Sequence, residues 1–136
     1  MSRSSSNSVI VKWNPFYPSF VCYDSLLKLY DVNQASNGHR AASLMRTQGT
    51  AAEVTTLDWY QHVSKAQVLA FGTYSGSVYF VDWSKDDENV FVVKEMNKYH
   101  SRQCTEVTWN KNIPGQLAAG FEKLRKYVYS AVQSLI

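Results

Sequence analysis

Glu53-Val54-Thr55-Thr56-Leu57-Asp58-Trp59 opens a run that reads as four successive β-strands. Val54, Thr56 and the residues after them alternate, which turns one face inward. Gln67-Val68-Leu69-Ala70-Phe71 is a short apolar run of the kind found in a strand covered on both faces. Tyr74-Ser75-Gly76-Ser77 has the composition of a tight turn and predicts a hairpin into Val78-Tyr79-Phe80-Val81. A polar turn, Asp86-Asp87-Glu88-Asn89, then leads to a fourth strand, Val90-Phe91-Val92-Val93. Four antiparallel strands in sequence order are the make-up of one propeller blade.

The same plan recurs on both sides. Upstream, Val9-Ile10-Val11-Lys12-Trp13-Asn14-Pro15 precedes Ser19-Phe20-Val21-Cys22-Tyr23-Asp24 and Leu27-Lys28-Leu29-Tyr30-Asp31-Val32. Downstream, Cys104-Thr105-Glu106-Val107-Thr108-Trp109-Asn110 precedes Gln116-Leu117-Ala118-Ala119-Gly120. Trp13, Trp59 and Trp109 lead the three units at intervals of 46 and 50 residues. WD-type blades repeat at about 40–45 residues with loop insertions. The expected fold is therefore all-β: a partial WD-type β-propeller of about two and a half to three four-stranded blades. The units span about 9–50, 51–98 and 99–136, after a disordered, Ser-rich segment 1–8. Asn33 to Gln48 and Glu95 to Gln103 read as polar loops, the first carrying Gly38-His39. Two readings of the tail stay open. Phe121, Leu124, Val128, Val132, Leu135 and Ile136 fall near helical spacing, so 121–136 is either a short amphipathic helix or the distorted end of the third blade.

Composition narrows the function. Hydrophobic residues make up 45% and charged residues 18%, enough apolar material for a core. Nine Tyr, six Phe and four Trp favour strands. The net charge of +3 is mild and its cations are scattered except around Lys123, Arg125 and Lys126, which argues against a nucleic-acid binder. The sequence contains no membrane-length apolar run and no signal segment, so a cytoplasmic location is the default. Cys22 and Cys104 are then expected as reduced thiols, with no metal-ligand spacing around them. His39, His62 and His100 are unclustered and read as solvated loop residues. Phosphate loops, nucleophile elbows and Cys-x-x-Cys pairs are all missing. No catalytic, cofactor-binding or metal-binding residue is assigned, and the expected class is a non-enzymatic binding module. Asp24, Asp31, Asp58 and Asp82 follow the repeat and read as turn or strand-end residues. Asp31 and Asp82 stand where a Trp-Asp signature has its Asp, with Tyr30 and Val81 in place of its Trp. Trp13, Trp59 and Trp109 read as core positions whose indole N–H seeks a partner. Trp83 ends a strand and is the better candidate for an exposed contact; Tyr74 and Arg102 are the other candidates for touching a partner.

The third unit resembles one family in detail. Glu106-Val107-Thr108-Trp109-Asn110 followed by Leu117-Ala118-Ala119-Gly120-Phe121-Glu122-Lys123-Leu124-Arg125 is similar to a blade of the Mio proteins, WD-repeat scaffold subunits of the GATOR assembly in animals and the SEA coat in yeasts. The opening Trp13-Asn14-Pro15, Phe20-Val21, Asp24-Ser25 and Leu29-Tyr30-Asp31-Val32 is similar too. The likeness spans about Val9 to Arg125. It implies scaffolding by protein–protein contact in amino-acid signalling to the TOR kinase, with other subunits of a complex as partners, and cytoplasmic placement with recruitment to the lysosome or vacuole surface. The alternative is a WD module of another coat, trafficking or nucleic-acid-associated assembly. The pattern departs after Arg125, where a strand ending in Trp-Asp is expected and Lys126-Tyr127-Val128-Tyr129-Ser130 stands instead. The family's further blades, helical repeats and zinc-binding part are also missing, so the chain reads as a fragment. Because propellers close with about 4–8 blades, three blades alone are expected to be insoluble, oligomeric or poorly stable.

Overall fold

The computed structural model describes residues 9–34, 40–85, 89–93, 102–122 and 128–130. Within them the chain is all-β apart from a single 3-10 turn at Val63–Lys65. The first sheet holds β1 (Ile10–Trp13), β2 (Ser19–Tyr23), β3 (Leu27–Gln34) and β4 (Arg40–Gln48). The second holds β5 (Val54–Trp59), β6 (Val68–Thr73), β7 (Val78–Asp82) and β8 (Val90–Val92). The third holds β9 (Cys104–Trp109), β10 (Leu117–Phe121) and β11 (Val128–Ser130). In each sheet consecutive strands pair antiparallel, the meander order of a propeller blade. The leading strands β1, β5 and β9 lie side by side from sheet to sheet.

Two elements differ from what the sequence led us to expect. The stretch Asn33 to Gln48 is not a polar loop throughout. Its second part, Arg40–Gln48, is strand β4, which pairs with β3 from Leu27↔Gln48 to Gln34↔Arg40. As the outermost strand it buries little, so its residues carry no strong period-2 apolar pattern, and the hydrogen-bond ladder of β3 holds it in place. Of the two readings of the tail, the helix over 121–136 is overturned and the end of the third blade is borne out. Phe121 closes β10, and Val128–Ser130 returns antiparallel alongside Ala118–Gly120. Gly38-His39, Asp86-Asp87-Glu88, His100, the basic group Lys123, Arg125 and Lys126, and the segment 1–8 lie outside the described residues.

The hydrophobic core lies between sheets rather than on one side of a single sheet. Val21, Tyr23 and Leu27 of the first sheet meet Leu57, Trp59, Leu69, Phe71, Val81 and Trp83 of the second. Ala70, Val78 and Phe80, on the opposite face of the second sheet, meet Val107, Trp109, Leu117, Ala119 and Phe121 of the third. The second sheet is thus covered on both faces, and all six residues of β6 are buried. That explains why its sequence shows an unbroken apolar run where alternation would mark a one-sided strand.

The β6–β7 turn follows its sequence closely. Gly76 takes a positive φ of 90°, open to glycine without steric penalty. The Thr73 hydroxyl accepts the Ser77 amide at 3.2 Å and lies 3.0 Å from the Ser75 hydroxyl.

Candidate functional site

The sheet-to-sheet contacts repeat one set of interactions. Trp59 sits at the end of β5 and donates its indole N–H to the carbonyl of Lys12, at 3.0 Å. Trp109 sits at the end of β9 and donates its indole N–H to the carbonyl of Asp58, at 3.1 Å. Lys12 and Asp58 each precede the tryptophan of their own blade, so the two bonds are equivalent. Satisfying the indole in this way removes the penalty that a buried orphan donor would carry.

Side chains add to each interface. The Asn14 amide donates to the Ala66 carbonyl at 2.7 Å, bridging the first and second blades. Between the second and third, the Trp109 main-chain N–H donates to the Asp58 carboxylate at 2.8 Å, and the Val107 N–H donates to the Thr56 hydroxyl at 3.2 Å. The Thr55 hydroxyl donates to the Cys104 carbonyl. Burial raises the Asp58 carboxyl above the usual carboxylate range, opposed by its bonds from Trp109 and Thr108 and by nearby Lys12. Burial also pushes the Cys104 thiol up, to about 11. Cys104 fits tightly because Gly72 faces it: a Cβ at Gly72 would lie 2.8 Å from the Cys104 Cβ.

Trp13 is the exception among the three leading tryptophans. It is 61% exposed, against 2% for Trp59 and 3% for Trp109. Its strand position is the same, but no described sheet precedes it. Val9 and Val11 on the same face are also about half exposed, whereas Leu57 and Val107, which match Val11, are 1% exposed. Trp13 packs edge-on against Phe20, which stacks on Tyr30.

A groove of about 390 Å³ opens where the first two blades meet. Trp59, Leu29 and Met45 give it an apolar lining, and Asp31 and Arg46 stand in its wall. Arg46 donates to the Trp83 carbonyl at 2.6 Å and lies over the Trp83 ring, 5.9 Å from its centroid. Trp83 is therefore not the exposed contact its strand-end position promised. It is 3% exposed and forms part of the inter-blade core, with an indole N–H that lacks a partner. It packs into the cluster between the first two blades, and the Arg46 guanidinium lies over its ring from strand β4. Tyr74 is 55% exposed, at the β6–β7 turn, and Arg102 is exposed just before β9. These two stand apart from the groove, so the three partner-contact candidates do not form one site.

The aspartates serve the local roles expected of turn residues. Asp24 accepts the Ser25 and Leu26 amides and pairs with Lys28 at 3.0 Å. Asp82 accepts the Ser84 amide at 3.0 Å. Asp58 differs, since its carboxylate crosses to the next blade. His62 is half-buried and packs edge-on against Tyr60, so it is not a solvated loop histidine. Cys22 is half-buried, Cys104 is buried, and both are free thiols. The described residues contain no group of three or more His, Cys, Asp or Glu placed to hold a metal ion. Three residues to which the sequence gave no role matter here. Asn14 and Asn110 cap the turns after β1 and β9, each accepting two main-chain amides. The repeated Trp-Asn pair was the signal for them. Arg46 had no such signal.

Comparison with known proteins agrees with this architecture. No family model matches the chain. Among curated proteins, it is 27% identical over 86 residues to the GATOR2 complex protein MIOS of Dictyostelium discoideum. That stretch is 63% of this chain and only 7% of MIOS. Among solved structures, it superposes on Sqt1 of Chaetomium thermophilum, a WD-repeat propeller, with a TM-score of 0.62 and 21% identity. The overlap covers 82% of this chain and 27% of Sqt1. Sqt1 bound to the N-terminus of ribosomal protein L10 matches with a TM-score of 0.61. The chain thus spans well under a third of the relatives it matches. In fold the chain is a run of WD-type propeller blades, and in sequence it is similar to the MIOS subunit of GATOR2.

Proposed function

We propose that the chain is a protein–protein interaction scaffold of the Mio type, acting with other GATOR2 subunits in amino-acid signalling to the TOR kinase. The observation that carries this reading is the match to MIOS on a chain whose sheets stack as WD blades. Such a stack offers rigid sheets with exposed loops at their ends, a frame suited to binding by shape and surface chemistry. Sqt1 in complex with a segment of L10 is a precedent for a protein of this fold holding another polypeptide. Asp58, Thr56 and the Asn14 amide N–H each make a bond that joins blades, so they hold the scaffold together and leave recognition to the loops and open faces. The proposed location is the cytoplasm, with recruitment to the lysosomal or vacuolar surface through the complex.

The test is co-purification of a tagged chain with the remaining GATOR2 subunits from cells starved of amino acids and then resupplied. Stoichiometric recovery of those subunits, with altered TOR-dependent phosphorylation on overexpression, is the expected result. Recovery of a different coat or trafficking assembly in their place would move the chain to the alternative reading, a WD module serving another complex.

A further inference from the structure

The groove between the first two blades carries chemistry that the joining of those blades does not use. Its lining holds one acidic side chain, Asp31, and one basic, Arg46. Arg46 pairs across the ladder with Leu29, so Asp31, two residues further along β3, is its diagonal neighbour on the same face. Such neighbours have Cβ atoms about 7–8 Å apart, within reach of an arginine. The two nevertheless form no ion pair. The guanidinium goes to the Trp83 carbonyl, at 2.6 Å, and to the face of the Trp83 ring. The Asp31 carboxylate is left half-buried, with no hydrogen bond or ion pair among the described residues. Trp83 is unsatisfied in the same place. The indole N–H groups of Trp59 and Trp109 each meet a carbonyl of the neighbouring blade, whereas that of Trp83 is buried without a partner. Strand β4 is also bulged here: Leu29 faces Arg46 and Tyr30 faces Leu44, with Met45 the extra residue. Bulges re-aim side chains and recur beside binding sites. Met45 and Arg46, consecutive in sequence, both line the groove. Met45 is 56% exposed and Tyr17, also in the lining, is 47% exposed.

We propose that this groove holds an extended segment of a partner protein in which a basic side chain stands beside a large apolar one. Charge complementarity selects the occupant. The positive charge of Arg46 is engaged by a carbonyl oxygen and a ring face, so the open charge of the groove is the Asp31 carboxylate. A partner's ammonium or guanidinium gains there, and a partner's carboxylate meets a like charge. Leu29, Met45 and Tyr17 take the apolar side chain, whose burial removes exposed apolar surface from water. The volume of about 390 Å³ lies at the small end of ligand sites, room for a few side chains rather than for a folded domain. Both walls belong to blades already joined. Further blades of a longer protein stack on the outer faces of the first and third sheets, and so leave this groove open. The proposal rests on the reading of the chain as a protein-binding scaffold, but not on which assembly it serves.

The experiment titrates the isotope-labelled full chain with three end-blocked pentapeptides and follows amide and indole N–H chemical shifts. The probes are Gly-Phe-Arg-Leu-Gly and the same peptide with Gln or Glu in place of Arg. The Arg peptide should move the amides of Asp31 and Arg46 and the indole signal of Trp83, and should bind about tenfold more tightly than the Gln peptide. The Glu peptide should bind more weakly still. Asp31→Asn should abolish the preference for Arg and leave the rest of the spectrum in place, because the carboxylate has no partner within the described fold. Asp31→Lys should invert the order, with the Glu peptide bound best. Met45→Ser, at an exposed position, should weaken all three peptides about fivefold without changing their order. The spectrum of each variant reports that it is folded. The proposal is overturned if the Arg and Gln peptides bind alike, if Asp31→Asn leaves Arg binding unchanged, or if no saturable binding occurs by about 1 mM. Tightest binding of the Glu peptide to the wild-type chain would give the site to Arg46 and reject a basic partner. Shifts confined to the face of Val11 and Trp13 would reject the groove. No GATOR2 subunit enters the titration, so its failure leaves the co-purification test standing, and a failed co-purification leaves the groove standing.

Discussion

Asp58 shows how one carboxylate can serve a fold while being disfavoured by it. Its oxygen satisfies the Trp109 amide across the blade boundary, yet burial raises its pKa above the ordinary 3.8. Between 3.8 and the higher folded value, the folded chain holds more proton than the unfolded chain, so stability falls as pH rises through that window. Asp58→Asn keeps an acceptor oxygen without the charge. It should be neutral or stabilising at pH 7 and should flatten that acid-side slope. Asp58→Ala orphans a buried amide and should cost about 1–3 kcal/mol. Urea midpoints at several pH values would separate the two variants, and a loss for Asn as large as for Ala would refute the role given to desolvation. Cys104 acts at the other end of the pH scale. Its thiol is raised to about 11 from an ordinary 9.0, so the folded state keeps a proton that the unfolded state releases. About 2–3 kcal/mol of stability should be lost as pH climbs through that interval. Cys104→Ser should remove most of this loss, measured as the difference between the two alkaline denaturation curves. In the native protein a thiol reagent should modify half-buried Cys22 first.

At the scale of elements, close approach between sheets decides which residues are permitted. Gly72 lies in β6 where β9 crosses nearest, and its missing Cβ makes room for Cys104 and Thr56. Gly72→Ala should therefore destabilise by about 1–3 kcal/mol through overpacking. Gly49→Ala, whose added Cβ would meet only Leu26 at 4.0 Å, should change the urea midpoint little. Equal effects at the two glycines would remove the close-approach argument. Much of this layer was legible in the sequence. The four strands of the second blade, the Gly76 turn and the tryptophan spacing all follow from period, turn chemistry and repeat length, signals that local residues carry themselves. Strand β4 was not legible, because an edge strand is held by the ladder of its neighbour and needs no apolar alternation of its own. The strand at Val128–Ser130 was one of two readings left open, because apolar residues three and four apart also occur by chance in a returning hairpin strand. Burial of Trp83 was out of reach as well, since it depends on packing against the first blade, including Arg46, 37 residues away in sequence. The exposure of Trp13 follows from its neighbours in space, which a repeat pattern treats as interchangeable.

In the molecule as a whole, stability is passed from sheet to sheet, as in other repeat arrays where each unit contacts only its neighbours. Among the described residues only the second blade is covered on both faces, so both apolar clusters include it. Strands β5 and β6 should then show the slowest native-state amide exchange, at the free energy of global unfolding. Strand β1, with its open aromatic face, and the outer strand β4 should exchange through smaller openings. The same asymmetry governs mutations. Phe71 is 1% exposed and stacks on Tyr79 at 5.2 Å between ring centroids, so Phe71→Ala should cost about 3–5 kcal/mol. A loss of that size is comparable to the whole stability of a small domain, so protection should vanish from all three sheets together. Trp13→Ala removes a larger side chain, but in the single chain it should cost under about 1 kcal/mol, because most of that ring already faces water. Residue-resolved exchange on both variants distinguishes this hierarchy from three independent sheets. If Phe71→Ala left the amides of β9 and β10 protected, the second blade would not be the element on which the other two depend.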